Sequence, residues 1–181
     1  MIPTSFRLLY SDEDIQKAVR RLGAEIGDWA NGTWDESHTD LLAIPILRGG
    51  LFFFADLVRE VSQSVEIAPA RTWAYEDNEN AVQKMQVKVN IDSVPAKGRN
   101  ILLVDDICDS GRTLKVLKQH LLDAGARVVR SAVLVRRKLK DAVFEPDWIG
   151  FEYDGREWLV GYGMDDCDRW RNLPSIHIIT S

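Results

Sequence analysis

The chain has 181 residues and is 45% hydrophobic, 28% charged and 9% aromatic, which suits one globular domain with a sizeable core. Its net charge of −5 argues against non-specific nucleic-acid binding, which needs a net basic face, and no apolar run approaches the ~18 residues of a membrane span. Two cysteines, Cys108 and Cys167, make neither a disulfide framework nor a metal cluster, and with an opening stretch that lacks a secretory layout they suit a cytoplasmic location.

Ser11 and Asp14 form a capping-box pattern, with Asp in place of the more usual Glu. Behind it, Ile15, Val19, Leu22, Ile26 and Trp29 fall on one helical face, and Asn31-Gly32 is expected to end that helix. "LLAIPIL" (41–47) is a short apolar strand broken by Arg48-Gly49-Gly50, and "LFFFADLVREV" (51–61) reads as a buried helix. "SVEIAPARTWAY" (64–75) is strand-like, with Pro69 marking an edge or a bend. Residues 76–83, "EDNENAVQ", have no apolar period and read as a loop; "KMQVKVNI" (84–91) alternates as a half-exposed strand does. Residues 101–104 are continuously apolar, as in a strand buried on both faces. A helix is predicted over 113–124, with Leu114, Leu117, Leu121 and Leu122 inward and Gly125 at its C-terminal end. "RVVRSAVLVR" (127–136) is the next strand. Strands at 148–151 and 157–160 follow, with Asp154-Gly155 as a hairpin turn between them, and "SIHIIT" (175–180) is the last.

Strand, helix, strand, helix, strand predicts an α/β fold with a mostly parallel central sheet flanked by helices. Ligands bind such sheets at the carboxyl ends of the strands. Arg48-Gly49, Asp105-Asp106 and Arg136-Arg137 all fall there, so the three polar breaks are expected to converge on one crevice.

The stretch "ILLVDDICDSGRTL" (101–114) ends a core strand in Asp105, Asp106 and Asp109. A helix needs only one capping side chain, so three carboxylates in five positions exceed that need. Residues 109–113 sit at a helix start, where unpaired N–H groups and the helix dipole suit a phosphate; Ser110 and Thr113 add hydroxyls and Gly111 allows close approach. Asp105 and Asp106 cannot bind phosphate, but they suit sugar hydroxyls or a bridging metal. A phosphorylated sugar satisfies both halves. A nucleotide-triphosphate P-loop is absent. The paired acids of a response-regulator receiver domain lie near the start of that domain, unlike these.

"ILLVDDICDSGRTL" resembles the 5-phosphoribosyl-1-pyrophosphate (PRPP) signature of type I phosphoribosyltransferases. "IPILRGGLFFFADLVRE" is similar to the pyrophosphate-loop segment of the hypoxanthine-guanine branch, "SDEDIQKAVRRLGAEI" to its first helix, and "EPDWIGFEYDGREWLVGYGMDDCDRWRNLPSIHII" to its purine-binding hood. The resemblance implies the type I phosphoribosyltransferase fold over the whole chain, with a small hood from residues 1–10 and 145–181. It also implies transfer of a 5-phosphoribosyl group from PRPP to a 6-oxopurine, hypoxanthine or guanine, releasing pyrophosphate and needing Mg2+. Asp109, Ser110, Gly111, Arg112 and Thr113 would hold the 5-phosphate, and Asp105 and Asp106 the ribose hydroxyls or the metal. Asp109 would act as general base near purine N7. Arg48, Gly49 and Arg171 would meet pyrophosphate, with an unusual non-proline cis peptide between Arg48 and Gly49. Trp158 would stack on the purine, with Ile107, Arg136 and the backbone of Leu159 around it, and Asp165 would help to hold magnesium. Tyr75 would belong to a mobile loop closing over the site. A homodimer or homotetramer is implied, with no membrane partner.

The chain departs from the family pattern at Arg136, where a lysine is usual, although register could place Arg137 there instead. Arginine and lysine are not interchangeable at such a site. Ala74 replaces a serine before the loop, "EDNEN" makes the loop acidic, and Cys108 replaces an aliphatic residue. These departures keep other readings open: an enzyme for xanthine or another base, or a PRPP-sensing or nucleotide-sensing regulator.

Overall fold

The computed structural model describes residues 2–37, 39–68, 70–76, 85–90 and 94–180. Strand β1 (Phe6–Tyr10) leads into helix α1 (Asp12–Ser37), then β2 (Leu41–Leu47), α2 (Leu51–Glu60), β3 (Val65–Ile67), β4 (Ala70–Glu76) and β5 (Met85–Asn90). After them come β6 (Asn100–Cys108), α3 (Arg112–Asp123), β7 (Val128–Arg137), β8 (Trp148–Tyr153), β9 (Leu159–Val160) and β10 (Ile176–Ile179). The large sheet has the order β5-β4-β2-β6-β7-β8, with β3 also pairing β2. Every pairing in it is parallel except β4 with β5. A second, antiparallel sheet, β1-β10-β9, joins the two ends of the chain.

The alternation of side chains along a strand explains the layering. In β2 and β6, Leu41, Ala43, Leu102 and Val104 face one core with Ile15, Val19, Leu22 and Ile26 of α1 and Phe53, Phe54 and Leu57 of α2. Their neighbours Leu42, Ile44, Ile46, Ile101 and Leu103 face the other core, against Leu114, Leu117 and Leu121 of α3. Both faces are covered, so the stretches 41–47 and 101–104 of these strands are continuously apolar, as parallel sheets require. The small sheet docks on the first core through Leu159, Ile176 and Ile178. Tyr10 anchors it at β8: its ring stacks on Phe151 at 4.0 Å and its hydroxyl donates to the Glu152 carbonyl at 3.2 Å. Among the described residues no helix is long and apolar enough to cross a membrane.

The capping box is present. The Asp14 N–H donates to Ser11 Oγ (3.2 Å), and the Ser11 N–H donates to Asp14 Oδ2 (3.1 Å). Three expectations need correction. Helix α1 does not end at Asn31-Gly32 but runs on to Ser37; glycine inside a helix costs only about 1 kcal/mol, and Gly32 does not adopt the positive φ of a helix stop. Leu122 is 38% exposed rather than inward, because it lies beside the buried Leu114-Leu117-Leu121 stripe. Asp154-Gly155 is not a hairpin turn: β8 pairs β7 in the large sheet while β9 pairs β10 in the small one. A tight type I′ hairpin needs positive φ, which neither residue has. The expected loop begins one residue later than 76, since Glu76 ends β4, and residues 77–83 lie outside the described ones.

Candidate active site

The carboxyl ends of β2, β6 and β7 lie side by side in the parallel sheet, so the segments that follow them meet at one edge. A cavity of about 110 Å³ opens there, between Asp106, Ile107 and Asp109 of the β6 end, Arg137 of β7, and Trp158, Leu159, Met164 and Asp165 from the chain around and after β9.

Strand β6 carries Asp105 and Asp106 to the rim. Burial pushes the carboxyls of both up from the usual carboxylate range, and for Asp105 the neighbouring Asp106 carboxylate pushes further. Backbone donors offset part of this: the Asp106 N–H donates to Asp105 Oδ1 (3.0 Å) and the Ile107 N–H to Asp106 Oδ1 (2.9 Å). A desolvated acid pair beside a cavity is short of cations or donors, and it suits a ligand that brings them. Gly49 lies against this pair so closely that a Cβ there would come within 2.1 Å of Asp106 Oδ2.

Beyond Asp109 the chain turns into α3 through Gly111, whose φ of 76° favours glycine. No side chain caps α3, so its first N–H groups and the positive end of its dipole are offered to an anion. Ser110, Arg112 and Thr113 bracket this start.

On β7 the two arginines diverge. Arg136 donates to Glu145 (2.5 Å) and Glu152 (3.1 Å) and does not line the cavity. Arg137 lines it, with Nε donating to Asp109 Oδ1 at 2.7 Å and Nη1 to the Gly155 carbonyl at 2.6 Å. Of the two arginines that the sequence left open, Arg137 is thus the one at the cavity; adjacent strand residues point to opposite faces, so one register step exchanges them. Opposite stands Trp158, 63% exposed, with its ring held by a hydrogen bond from Nε1 to the Asp165 carbonyl (2.7 Å).

The cis peptide bond lies between Leu47 and Arg48, one residue before the expected place. Arg48 is paired with Asp168. Arg171 donates to the Gly163 carbonyl (2.7 Å), to Asp165 (2.7 Å) and to Asp168 (3.1 Å). Tyr75 is on β4 opposite Gln86 of β5, but the position of its side chain falls outside the description. Cys108 is buried and its thiol is pushed up to about 12, by burial first and then by Asp105 and Asp109, so it is not an activated thiolate.

Sequence reading missed Met164, Asp168, Gly163 and Tyr162. Gly163, at φ 101°, touches the backbone of the loop after β2: a Cβ there would come within 2.1 Å of the Gly49 carbonyl. Tyr162 donates from its hydroxyl to Asp56 on α2 (2.5 Å). The signal was the glycine pair in "GYGMDD", which marks a backbone of unusual φ rather than a periodic face.

Among the described residues no three His, Cys, Asp or Glu side chains come together as a metal cage. Mg2+ binds proteins through one or two carboxylates plus substrate phosphates, so Asp105, Asp106 and Asp165 fit it only as such a partial donor set.

The family model for the phosphoribosyl transferase domain matches residues 9–166. The hypoxanthine-guanine phosphoribosyltransferase of Aquifex aeolicus is 31% identical over 96% of this chain and 94% of its own. That of Bacillus subtilis is 32% identical over 96% of this chain and 92% of its own. The crystal structure of a hypoxanthine phosphoribosyltransferase from Staphylococcus aureus shares the fold, with a TM-score of 0.83 at 24% identity, over 96% of this chain and 91% of that one.

Proposed function

This chain belongs to the hypoxanthine-guanine phosphoribosyltransferase family, and from that premise we propose that it joins a 6-oxopurine to the 5-phosphoribosyl group of PRPP in purine salvage, releasing pyrophosphate. The observation that carries this reading is the cavity lined by Arg137, Trp158 and Asp109, which stands two residues ahead of the uncapped start of α3.

Each group has a task that its chemistry fits. The α3 start, with Ser110, Gly111, Arg112 and Thr113, takes the 5-phosphate. Asp105 and Asp106 accept hydrogen bonds from the ribose hydroxyls. Trp158 stacks on the purine and the Leu159 backbone meets its edge. Arg137 donates to the oxygen at C6; a guanidinium has donors and no acceptor, so it favours an oxo group over the amino group of adenine. Asp109 takes the proton from purine N7 as the attacking ring nitrogen bonds to C1 of the ribose and the C1–O bond electrons leave with pyrophosphate. Arg48, the Gly49 backbone and Arg171 receive that leaving group. Mg2+, bound through Asp165 or the Asp105-Asp106 pair together with substrate oxygens, would neutralise pyrophosphate charge. The exposed Leu51 (49%) and Phe52 (37%) on α2 support a homo-oligomer.

The test is pyrophosphate release from PRPP and Mg2+ with hypoxanthine, guanine, xanthine and adenine offered separately. Turnover with hypoxanthine or guanine and none with adenine is expected. Binding of PRPP without turnover on any base would overturn the enzyme reading in favour of a sensor. Arg137→Met is expected to lower kcat/KM for the 6-oxopurine by about 10²-fold, the worth of a charge-assisted hydrogen bond. An unchanged kcat/KM would remove Arg137 from base reading.

A further inference from the structure

Asp168 is joined to both arginines of the pyrophosphate side. Arg171 Nη2 donates to its Oδ1 at 3.1 Å, and Arg48 Nη2 donates to that same oxygen. Arg48 follows β2 and Arg171 precedes β10, so one carboxylate oxygen bridges two separate parts of the fold. The backbone aims it there. Asp168 has φ 62°, Cys167 before it 49° and Trp170 after it 71°. The Asp168 N–H donates to Asp165 Oδ2 (2.8 Å), and Asp166 and Arg169 close the turn with reciprocal backbone hydrogen bonds. Arginine 171 and then Arg48 hold the Asp168 carboxyl below the usual carboxylate range.

We infer that Asp168 is a built-in competitor for the pyrophosphate position, a carboxylate that sets how tightly the site holds PRPP and releases pyrophosphate. The inference rests on the reading that Arg48 and Arg171 receive pyrophosphate. Two features support competition over mere support of the arginines. The Asp168 side chain is 63% exposed, so its pairs are screened and readily exchanged. Arg171 also keeps its place without Asp168, through the Gly163 carbonyl and Asp165. A pyrophosphate offers several oxygens and more charge, and it can pair with each guanidinium through two hydrogen bonds where Asp168 gives one oxygen to both. The incoming substrate therefore displaces Asp168, and the returning carboxylate helps to expel the product.

The experiment is calorimetric titration of the full chain with magnesium pyrophosphate and with PRPP, in the wild type, Asp168→Asn and Asp168→Glu. Asp168→Asn is expected to bind both ligands roughly three- to tenfold more tightly, the worth of two exposed ion pairs. KM for PRPP falls in step while kcat does not rise, and Asp168→Glu, which keeps the charge, stays near wild type. Asparagine tolerates this φ, and Asp168→Gly, which suits it better, supplies the same answer if the first variant folds poorly. Equal or weaker pyrophosphate binding by the variants, with the wild type binding normally, overturns the inference. A wild type that binds neither pyrophosphate nor PRPP overturns the reading of the site itself.

Discussion

Asp109→Asn is expected to lower kcat by about 10²–10⁴-fold, the usual worth of a general base, while KM for PRPP changes little. Asparagine keeps the size and the backbone N–H groups of the 109–113 turn, so the uncapped N–H groups at the α3 start are left as they are. It cannot accept a proton from the purine. The substitution also removes the ion pair from Arg137 Nε, but Arg137 retains its hydrogen bonds to the Gly155 and Glu157 carbonyls and so stays in the cavity. The loss then reads as chemistry rather than as displacement of Arg137. Steady-state kinetics with saturating hypoxanthine or guanine, alongside a melting curve of each protein, make the check. A kcat within threefold of wild type, in a variant that melts normally, would end the general-base assignment.

That Asp109, the start of α3 and the Asp105-Asp106 pair come together was legible in the sequence because each lies at or just after a strand end of a parallel sheet. The apolar run at 101–104 forces β6 into the sheet centre, with β2 and β7 on either side. Topology then carries Arg48, Asp105, Asp106 and the β7 arginines to one edge without any knowledge of side-chain positions. The capping box was legible because its reciprocal hydrogen bonds join Ser11 and Asp14, three residues apart in sequence, and need no distant partner.

What resisted reading depended on register and on unusual backbone. Choosing Arg137 over Arg136 turns on a single step along β7, which the apolar pattern of that strand leaves open because both of its faces are covered. Asp154-Gly155 has hairpin composition, yet β8 is committed to β7 and β9 to β10, so tertiary pairing overrode a local preference. The segment 161–170 holds positive φ at Gly161, Tyr162, Gly163, Cys167, Asp168 and Trp170. Only glycine advertises such a backbone. Asp168 and Tyr162 therefore acquire their partners, Arg48 and Asp56, through a chain path that has no periodicity to read.

Asp105→Asn is expected to make the free protein more stable and the substrate-bound protein weaker. Burial and the Asp106 carboxylate raise the Asp105 pKa in the folded state above its unfolded value near 4. A group shifted this way supports the fold fully below the unfolded pKa and withdraws that support as pH rises through the folded pKa. Asparagine has nothing to ionise, and its side-chain oxygen can still accept from the Asp106 N–H. The melting temperature of the variant should therefore match wild type near pH 4 and exceed it by a few degrees at neutral pH, since about 1 kcal/mol moves a domain of this size by roughly 2–4 °C. PRPP binding should fall by about 10- to 100-fold, because a carboxylate that accepts from the ribose hydroxyls is replaced by a neutral amide. A melting series in pH together with PRPP titration decides it. A gap that shrinks as pH rises would show that Asp105 is not a strained acid. A stabilised variant with undiminished PRPP affinity would separate the strain from ribose binding and move that role to Asp106.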